Sequence, residues 1–485
     1  TMRAFGAKII LTEGAKGMRA AIETATEIAE KIEGAIENLS DAVGTLGYAF
    51  VDVRPRVNRD RKNKTIALTF EINEGPRVFV ERIDIEGNVR TSDEVIRRQF
   101  KLVEGDAFST AKLRRSKQRI QNLDFFETVE VEQIPGSAPD KTVVKVNVEE
   151  KSTGSLSLGL GYSTSSGALA DIGIREKNLL GHGQDLNLKL TVAARKSQVD
   201  FSFTEPYFMG REVSAGFDLF RIARDYQDTS SFDSKVIGGA LRLGYPITDD
   251  LYQNWKYTLK SSNIAGIDDS ASPYIKDQEG STILSQVSHS LSYDKRDSRT
   301  KPTEGYVLNL TNDFAGVGGT NRFIRNRISG AYYYSIADRW IATIKGRAGH
   351  MFGIGRDIRV LDRFFIGGDG LRGFATAGTG PRDKNTKDAL GGEWMYTGTA
   401  EMSFPLGLPE SLGILGRVFT DLGSSGKLSP SGSDVNDTGT LRASVGAGLT
   451  WSSPLGPLGF DLGFPLLKED FDITEAVRVN FGTRF

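Results

Sequence analysis

LRASVGAGLTW (441–451) decides how the rest of this chain is read. Leu441, Ala443, Val445, Ala447, Leu449 and Trp451 fall on one face of an extended strand, and Arg442, Ser444, Gly446, Gly448 and Thr450 on the other. EAVRVNFGTRF (475–485) repeats the pattern, with Val477, Val479, Phe481, Thr483 and Phe485 opposite Arg478, Asn480, Gly482 and Arg484. DLNLKLTVA (185–193) and LGFDLGFPL (458–466) follow the same rule. An aliphatic and aromatic face backed by charge and glycine suits a barrel with a wet lumen and a lipid-facing exterior. A soluble sandwich inverts the meaning of the faces, and alternation alone does not separate the two. Strand length favours the barrel, because sandwich strands average about 5–6 residues. Residues 152–485 divide into about sixteen segments, each about 9–15 residues long, with polar turns between them. An even number is expected of a single-chain bacterial barrel. The expected fold is a β-barrel membrane protein of about sixteen antiparallel strands.

Composition sharpens the division. Of the 55 glycines only 10 precede residue 152, while basic and acidic residues balance on both sides of it. The change near residue 151 is therefore one of structure type, and the main domain boundary is placed there. A formal net charge of −1 gives no general attraction to nucleic acid or anionic lipid. With no cysteine, disulfide scaffolds, thiol nucleophiles and cysteine metal sites are excluded. No apolar run reaches the roughly 18 residues of a membrane-spanning helix. The opening TMRAFGAKIILTEGAKG lacks a long apolar core and a small-residue cleavage site, so no signal peptide is visible. An exported protein with this beginning reads as a mature form or a trimmed fragment.

The first third mixes helix and strand signals. Ile22, Ile28, Ile32, Ile36 and Leu39 recur at helical spacing within 20–46, while FVDVRPRV (50–57) and TIALTFEI (65–72) flank a polar turn as in a hairpin. From about 77 to 151 the order is strand, short helix, longer helix, strand, strand. The longer helix, in STAKLRRSKQRIQNLDFF, has Ser109 as its expected N-cap and Leu113, Ile120 and Leu123 on one face. The basic run Arg54, Arg56, Arg59, Arg61, Lys62 and Lys64 could meet lipid headgroups or an acidic partner, but a solvated hairpin explains it more simply.

Between two strand candidates, residues 354–390 form an interval too long for a turn, and such loops are usually functional or disordered. They contain RFFIGGDGLRGF (363–374), in which Gly368, Gly370 and Gly373 spell a literal GxGxxG. FATAGTGP follows instead of a helix and no βαβ unit surrounds it, so a dinucleotide site is rejected.

The order of elements in 77–151, with IDIEGNVRT and a later F-F-x-x-V, resembles a POTRA domain of the outer-membrane assembly family, and 1–76 resembles a partial POTRA domain with residues 1–19 unplaced. Leu371-Arg372-Gly373-Phe374 resembles the [V/L/I]-R-G-[F/Y] signature in the sixth outer loop of BamA-type assembly barrels. EKNLLGHGQDL (176–186), FTEPYF (203–208), YDKRDSRTKPTEG (293–305) and the terminal aromatic of NFGTRF match in the family's order. The resemblance implies POTRA domains at 1–76 and 77–151 and a transmembrane barrel over 152–485. It also implies further POTRA domains in the intact protein, so the chain reads as truncated. In the family the signature loop folds into the lumen, and its arginine pairs with acids on the inner wall; the matching positions are Arg372, Glu401 and Asp421. A guanidinium enclosed in a lumen needs carboxylate partners, and its fork fixes the loop's orientation. The plainer alternative is a solvated ion pair, worth at most about 1 kcal/mol.

Catalytic readings fare poorly. His182, His289 and His350 match no metal spacing, and no nucleophile elbow or Walker sequence is present. His289 and Ser290 are neighbours on a strand, so they point to opposite faces and cannot form a nucleophile–base pair. The protein is expected to be no enzyme and to need no cofactor or metal.

Mechanism is expected at the seam between first and last strands. GSLSLGLGYSTSSG (154–167) carries Gly154, Gly159 and Gly161 on either side of Leu156 and Leu158, and glycine weakens a strand. It must close against the strand bearing Val479, Phe481, Gly482 and Phe485. A weakly closed edge is a template for another strand. The resemblance implies an insertase that folds outer-membrane proteins by strand pairing, without nucleotide hydrolysis. Implied partners are Bam lipoproteins, with a BamD-like one at 77–151, unfolded outer-membrane proteins, periplasmic chaperones, and outer-membrane lipid and lipopolysaccharide. The implied location is the bacterial outer membrane with POTRA domains in the periplasm. Two alternatives stay open: a TamA-like or polypeptide-secreting transporter of the same superfamily, and a passive porin.

Overall fold

The computed structural model describes residue 39 and residues 51–60, 65–74, 77–429, 432–453 and 456–481. Residues 1–19, the helix expected over 20–46 except Leu39, and the basic positions Arg61, Lys62 and Lys64 lie outside the described residues, as do Gly482 and Phe485. The chain divides into two compact units: Thr1–Thr153 with Lys177–Gly183, and Gly154–Glu176 with Gln184–Phe485.

In the first unit, β1 (Val51–Asp60) and β2 (Thr65–Glu74) form the expected hairpin, registered from Val51 opposite Glu74 to Asp60 opposite Thr65. Arg56 of the basic run is paired with Glu71 at 2.8 Å. Next come β3 (Phe79–Glu86), α1 (Asp93–Arg97), α2 (Thr110–Asn122), β4 (Phe126–Pro135) and β5 (Lys141–Glu150). The sheet order is β3-β5-β4, with β3 parallel and β4 antiparallel to the central strand. Ser109 caps α2 by accepting from the Lys112 amide, and Ile120 on its inner face is fully buried among Ile83, Phe108, Val144 and Val146. The expected α+β order of 77–151 is what the structure shows. Asp124, at the end of α2, accepts from Lys151 and then Lys177, and these two ammonium groups hold its carboxyl down at about 2.

The second unit is a closed antiparallel barrel of sixteen strands. Strands β6 to β16 run consecutively from Gly154–Ser163 to Trp340–Gly353. After the loop come β19 (Trp394–Pro405), β20 (Ile414–Gly426), β22 (Arg442–Ser453), β23 (Gly456–Leu467) and β25 (Val477–Phe481), and β25 returns to β6. Four two-residue strands lie outside the wall: β17 (Gly373–Phe374), β18 (Arg382–Asp383), β21 (Val435–Asn436) and β24 (Thr474–Glu475).

Alternation fixes the two faces. In β22, Arg442 and Ser444 are buried while Leu449 and Trp451 are exposed, and in β6 Leu156, Leu158 and Leu160 are all exposed. Exposed aliphatic side chains on every second residue are tolerable on a surface bathed in hydrocarbon. Among the described residues no helix is long and apolar enough to cross a membrane, so any crossing falls to the strands. Loops leaving one end of the barrel share an apolar core in which Phe232, Ile275, Val360, Leu390 and Leu428 are buried.

The last wall strand starts at Val477, the first of the alternating residues, and the two residues before Ala476 are used differently: Thr474–Glu475 pairs with Gly373–Phe374. The cause is local, since Glu475 turns to meet the Arg478 guanidinium and its backbone is taken by the loop.

Candidate functional site

The interval expected to be special lies between β16 and β19, from 354 to 393, and short helical turns and two-residue strands organise it. Leu371 and Phe374 are fully buried with Ile366, which fixes the segment's inner side by apolar packing. Gly373 has φ +91°, a region costly for side chains, and an added Cβ would sit 3.1 Å from Ser444 Cβ and 3.3 Å from the Gly463 carbonyl carbon. On the wall, a Cβ at Gly463 would come within 2.6 Å of the Gly373 nitrogen. Loop and wall therefore meet backbone to backbone, and this glycine pair permits it.

Arg372 sits within that contact. Its Nε donates to Asp421 Oδ2 at 2.8 Å and one terminal nitrogen to Oδ1 at 2.9 Å, while its own backbone N–H donates to Oδ2 at 3.0 Å. The other terminal nitrogen reaches Glu401 Oε2 at 2.7 Å. The guanidinium carbon lies 3.4 Å from the centroid of the Phe419 ring, and the Ser444 hydroxyl donates to the Arg372 carbonyl. Asp421 and Phe419 are buried at inward-facing positions of β20, and Glu401 is half-buried on β19. Fork-to-carboxylate pairing of this kind is strong and directional. Enclosure raises the stakes, because an unpartnered charge there would be costly.

Sequence reasoning brought together Arg372, Glu401 and Asp421 but missed the rest of the constellation. Asp461 on β23 holds Arg417 on β20 through two bonds of 2.8 and 2.7 Å, and its carboxylate stands 3.9 Å from Arg372. Two guanidinium groups and three carboxylates thus form one network. Inward parity in RVFTDLG and LGFDLGFPL was the available signal for Arg417 and Asp461. Which strands face the loop was not in that signal. Beside the network lies a cavity of about 240 Å³, lined by Lys345, Arg347, Thr397, Thr399 and Asn480 among others.

At the seam, Gly154, Leu156, Leu158, Gly159 and Gly161 all lie on β6 and register with β7 (Gly167–Leu179), where ten positions pair from Gly154 opposite Glu176 to Ser163 opposite Gly167. Towards β25 the described residues register only at Asn480 with Ser163 and Phe481 with Tyr162. Val479 adds three bonds to Thr164: Thr164 N–H and Oγ1 donate to its carbonyl at 3.1 and 3.2 Å, and its amide donates to Oγ1 at 3.0 Å. Gly159 does not face Phe481; Tyr162 does.

Comparison with known proteins places this architecture. A family model described as the Omp85 superfamily domain matches residues 178–485, and a POTRA model described as a surface antigen variable number repeat matches 23–75 and 78–151. The outer membrane protein assembly factor BamA of Neorickettsia risticii is 32% identical over 95% of this chain and 64% of its own length. BamA of Nitratidesulfovibrio vulgaris is 33% identical over 88% of this chain and 54% of its own. The chain thus spans about 54–64% of the length of these curated relatives. Among solved structures, BamA from Haemophilus ducreyi lacking POTRA domains 1–3 shares the fold at TM-score 0.74 and 24% identity, each chain covered to 94%. CdiB from Escherichia coli does so at TM-score 0.57 and 15% identity, over 92% of this chain and 84% of that one. A closed sixteen-stranded barrel, POTRA matches and an Omp85 match over most of the chain lead to one assignment: the chain belongs to the Omp85 superfamily.

Proposed function

We propose that this protein inserts β-barrel proteins into the outer membrane by parting β6 from β25 and pairing the edge so opened with a client strand, with no covalent chemistry and no nucleotide hydrolysis. The barrel belongs to the bacterial outer membrane and the POTRA domains to the periplasm. What carries the reading is where the wall closes: β25, the last wall strand, meets β6, the first, so this junction alone joins opposite ends of the chain, with Val479 bonded to Thr164 across it. Backbone groups left unpaired in hydrocarbon are expensive, so a strand entering lipid gains by pairing with such an edge. The energy comes from the client's own folding.

In this reading Arg372, held by Glu401 and Asp421, fixes the signature loop to the wall, and Leu371, Gly373 and Phe374 shape the contact. Clients are unfolded outer-membrane proteins delivered by periplasmic chaperones. Bam lipoproteins would assemble on the POTRA domains, a BamD-like one at 77–151, with lipid and lipopolysaccharide around the barrel. The strand edges β3 and β4 of that domain's sheet are the surfaces on which an extended segment could add. Relatives named as assembly factors support this over a transporter or porin reading.

A disulfide across the seam tests it. Cysteines replacing Tyr162 and Phe481 are registered partners, and the chain has no other cysteine to confuse the result. Locking the seam is expected to abolish assembly of outer-membrane clients in cells, with recovery on reduction. Undiminished assembly with the seam fully locked would sink the proposal.

A further inference from the structure

β25 closes the wall between β23 and β6, and its inward side chain Arg478 is almost wholly buried. Besides these two wall neighbours, the signature loop holds this strand. Asp369, three residues before Arg372, accepts from Asn480 Nδ2 at 3.2 Å, and its Oδ1 stands 3.5 Å from the Arg478 guanidinium. Arg478 also donates to Glu475, and Gly368 lies flush against it, so that an added Cβ would come 3.2 Å from a guanidinium nitrogen. Just upstream, Gly373 and Phe374 pair with Glu475 and Thr474, the Ala375 amide donates to the Ile473 carbonyl at 2.9 Å, and the Ile473 amide donates to Gly378 at 2.9 Å. The loop thus grips both the lead-in to β25 and two of its inward side chains.

We propose that Asp369 is a positioning residue for the seam: through Arg478 and Asn480 it ties the terminal strand to the lumen loop, and so sets how readily β25 parts from β6. The inference rests on the seam reading above and deepens it. Arg372 fastens the loop to β19 and β20, Asp369 fastens the terminal strand to the loop, and the terminal strand is thereby restrained from inside the barrel. The chemistry is suited to a restraint that must give way. Asp369 is itself two-thirds exposed, so its hold on Arg478 is partly screened, while Glu475 keeps the guanidinium partnered when Asp369 lets go.

The test measures the seam directly. In the chain with cysteines replacing Tyr162 and Phe481, the rate of disulfide formation under mild oxidation reports how often the two strands lie in register. Asp369→Asn is expected to slow it about fivefold, the equivalent of about 1 kcal/mol. Asp369→Glu is expected to restore most of the rate, which a loss of loop folding would not do. Asn480→Ser removes only the 3.2 Å bond and is expected to give a smaller slowing. Heat-dependent gel migration confirms that each barrel is folded. Equal oxidation rates in Asp369→Asn and the parent overturn the proposal, as does slowing that Asp369→Glu fails to relieve. Client assembly, followed in parallel, separates the two readings: altered seam rates with unaltered assembly leave the restraint standing and remove the insertion mechanism.

Discussion

Replacing Arg372 with lysine would keep the charge and lose the fork. One ammonium cannot make the 2.8 and 2.9 Å bonds to Asp421 together with the 2.7 Å bond to Glu401, nor lie flat against the Phe419 ring as the guanidinium does. Asp421 is fully buried, so a carboxylate oxygen left without its donor costs about 1.5–3 kcal/mol. Arg372→Lys is therefore expected to lower the temperature at which the barrel loses its compact gel migration, and an unchanged transition would show that the network carries little of the loop's attachment. At this scale the sequence was informative where chemistry is local. Asp421 and Glu401 could be chosen because the resemblance to the family marks the wall acids that meet the loop arginine, and strand parity agrees for Asp421. Ser444, Gly463, Asp461 and Arg417 escaped because their importance lies in which strand stands opposite the loop, a fact of closure that no window of residues contains.

Among the elements, the turn 295–304 between two long wall strands offers a pH test. Asp297 accepts from the Thr303 hydroxyl at 2.6 Å and from the backbone amides of Thr303 and Glu304 at 3.0 and 3.1 Å. These donors hold its carboxyl down at about 2, below the usual value near 4. A carboxylate with a depressed pKa stabilises its turn fully above the ordinary value and loses that contribution as pH falls through the depressed one. Exchange protection of the Thr303 and Glu304 amides is therefore expected to be constant above about pH 4 and to decline from there towards pH 2. Asp297→Asn should show low protection with no such decline, and a parental profile in that variant would reject the assignment. YDKRDSRTKPTEG stood out in the sequence only as a stretch matching the family, which does not say that it turns here or which aspartate organises the turn. The wall strands were legible from alternation and length, including where the last one starts. Glu475 and Ala476 break the alternation that begins at Val477, and the structure gives Glu475 to the loop through its pairing with Gly373 and an ion pair with Arg478, partners that the local sequence did not reveal.

For the molecule as a whole, the lumen of unit two is occupied by its own loop, with Arg372, Arg382 and Asp383 all buried there or in the loop core above it. A barrel filled this way is expected to give small, irregular conductance events in a planar bilayer; a large steady pore would favour the porin reading instead. The sixteen-strand count was readable because alternation and segment length recur in every wall strand. The seam was readable only as a place, since its register pairs residues from opposite ends of the chain. The loop's attachments carry one more consequence, for the order in which this protein can itself be built. Every wall contact of Arg372 and Asp369 lies later in the chain, out to Asn480, 111 residues beyond Asp369. Loop closure over such separations comes late. The loop therefore has no seat until β19 to β25 have formed, and maturation must run from the outside inward. An assembly intermediate caught before that last docking would be a complete cylinder with an empty middle.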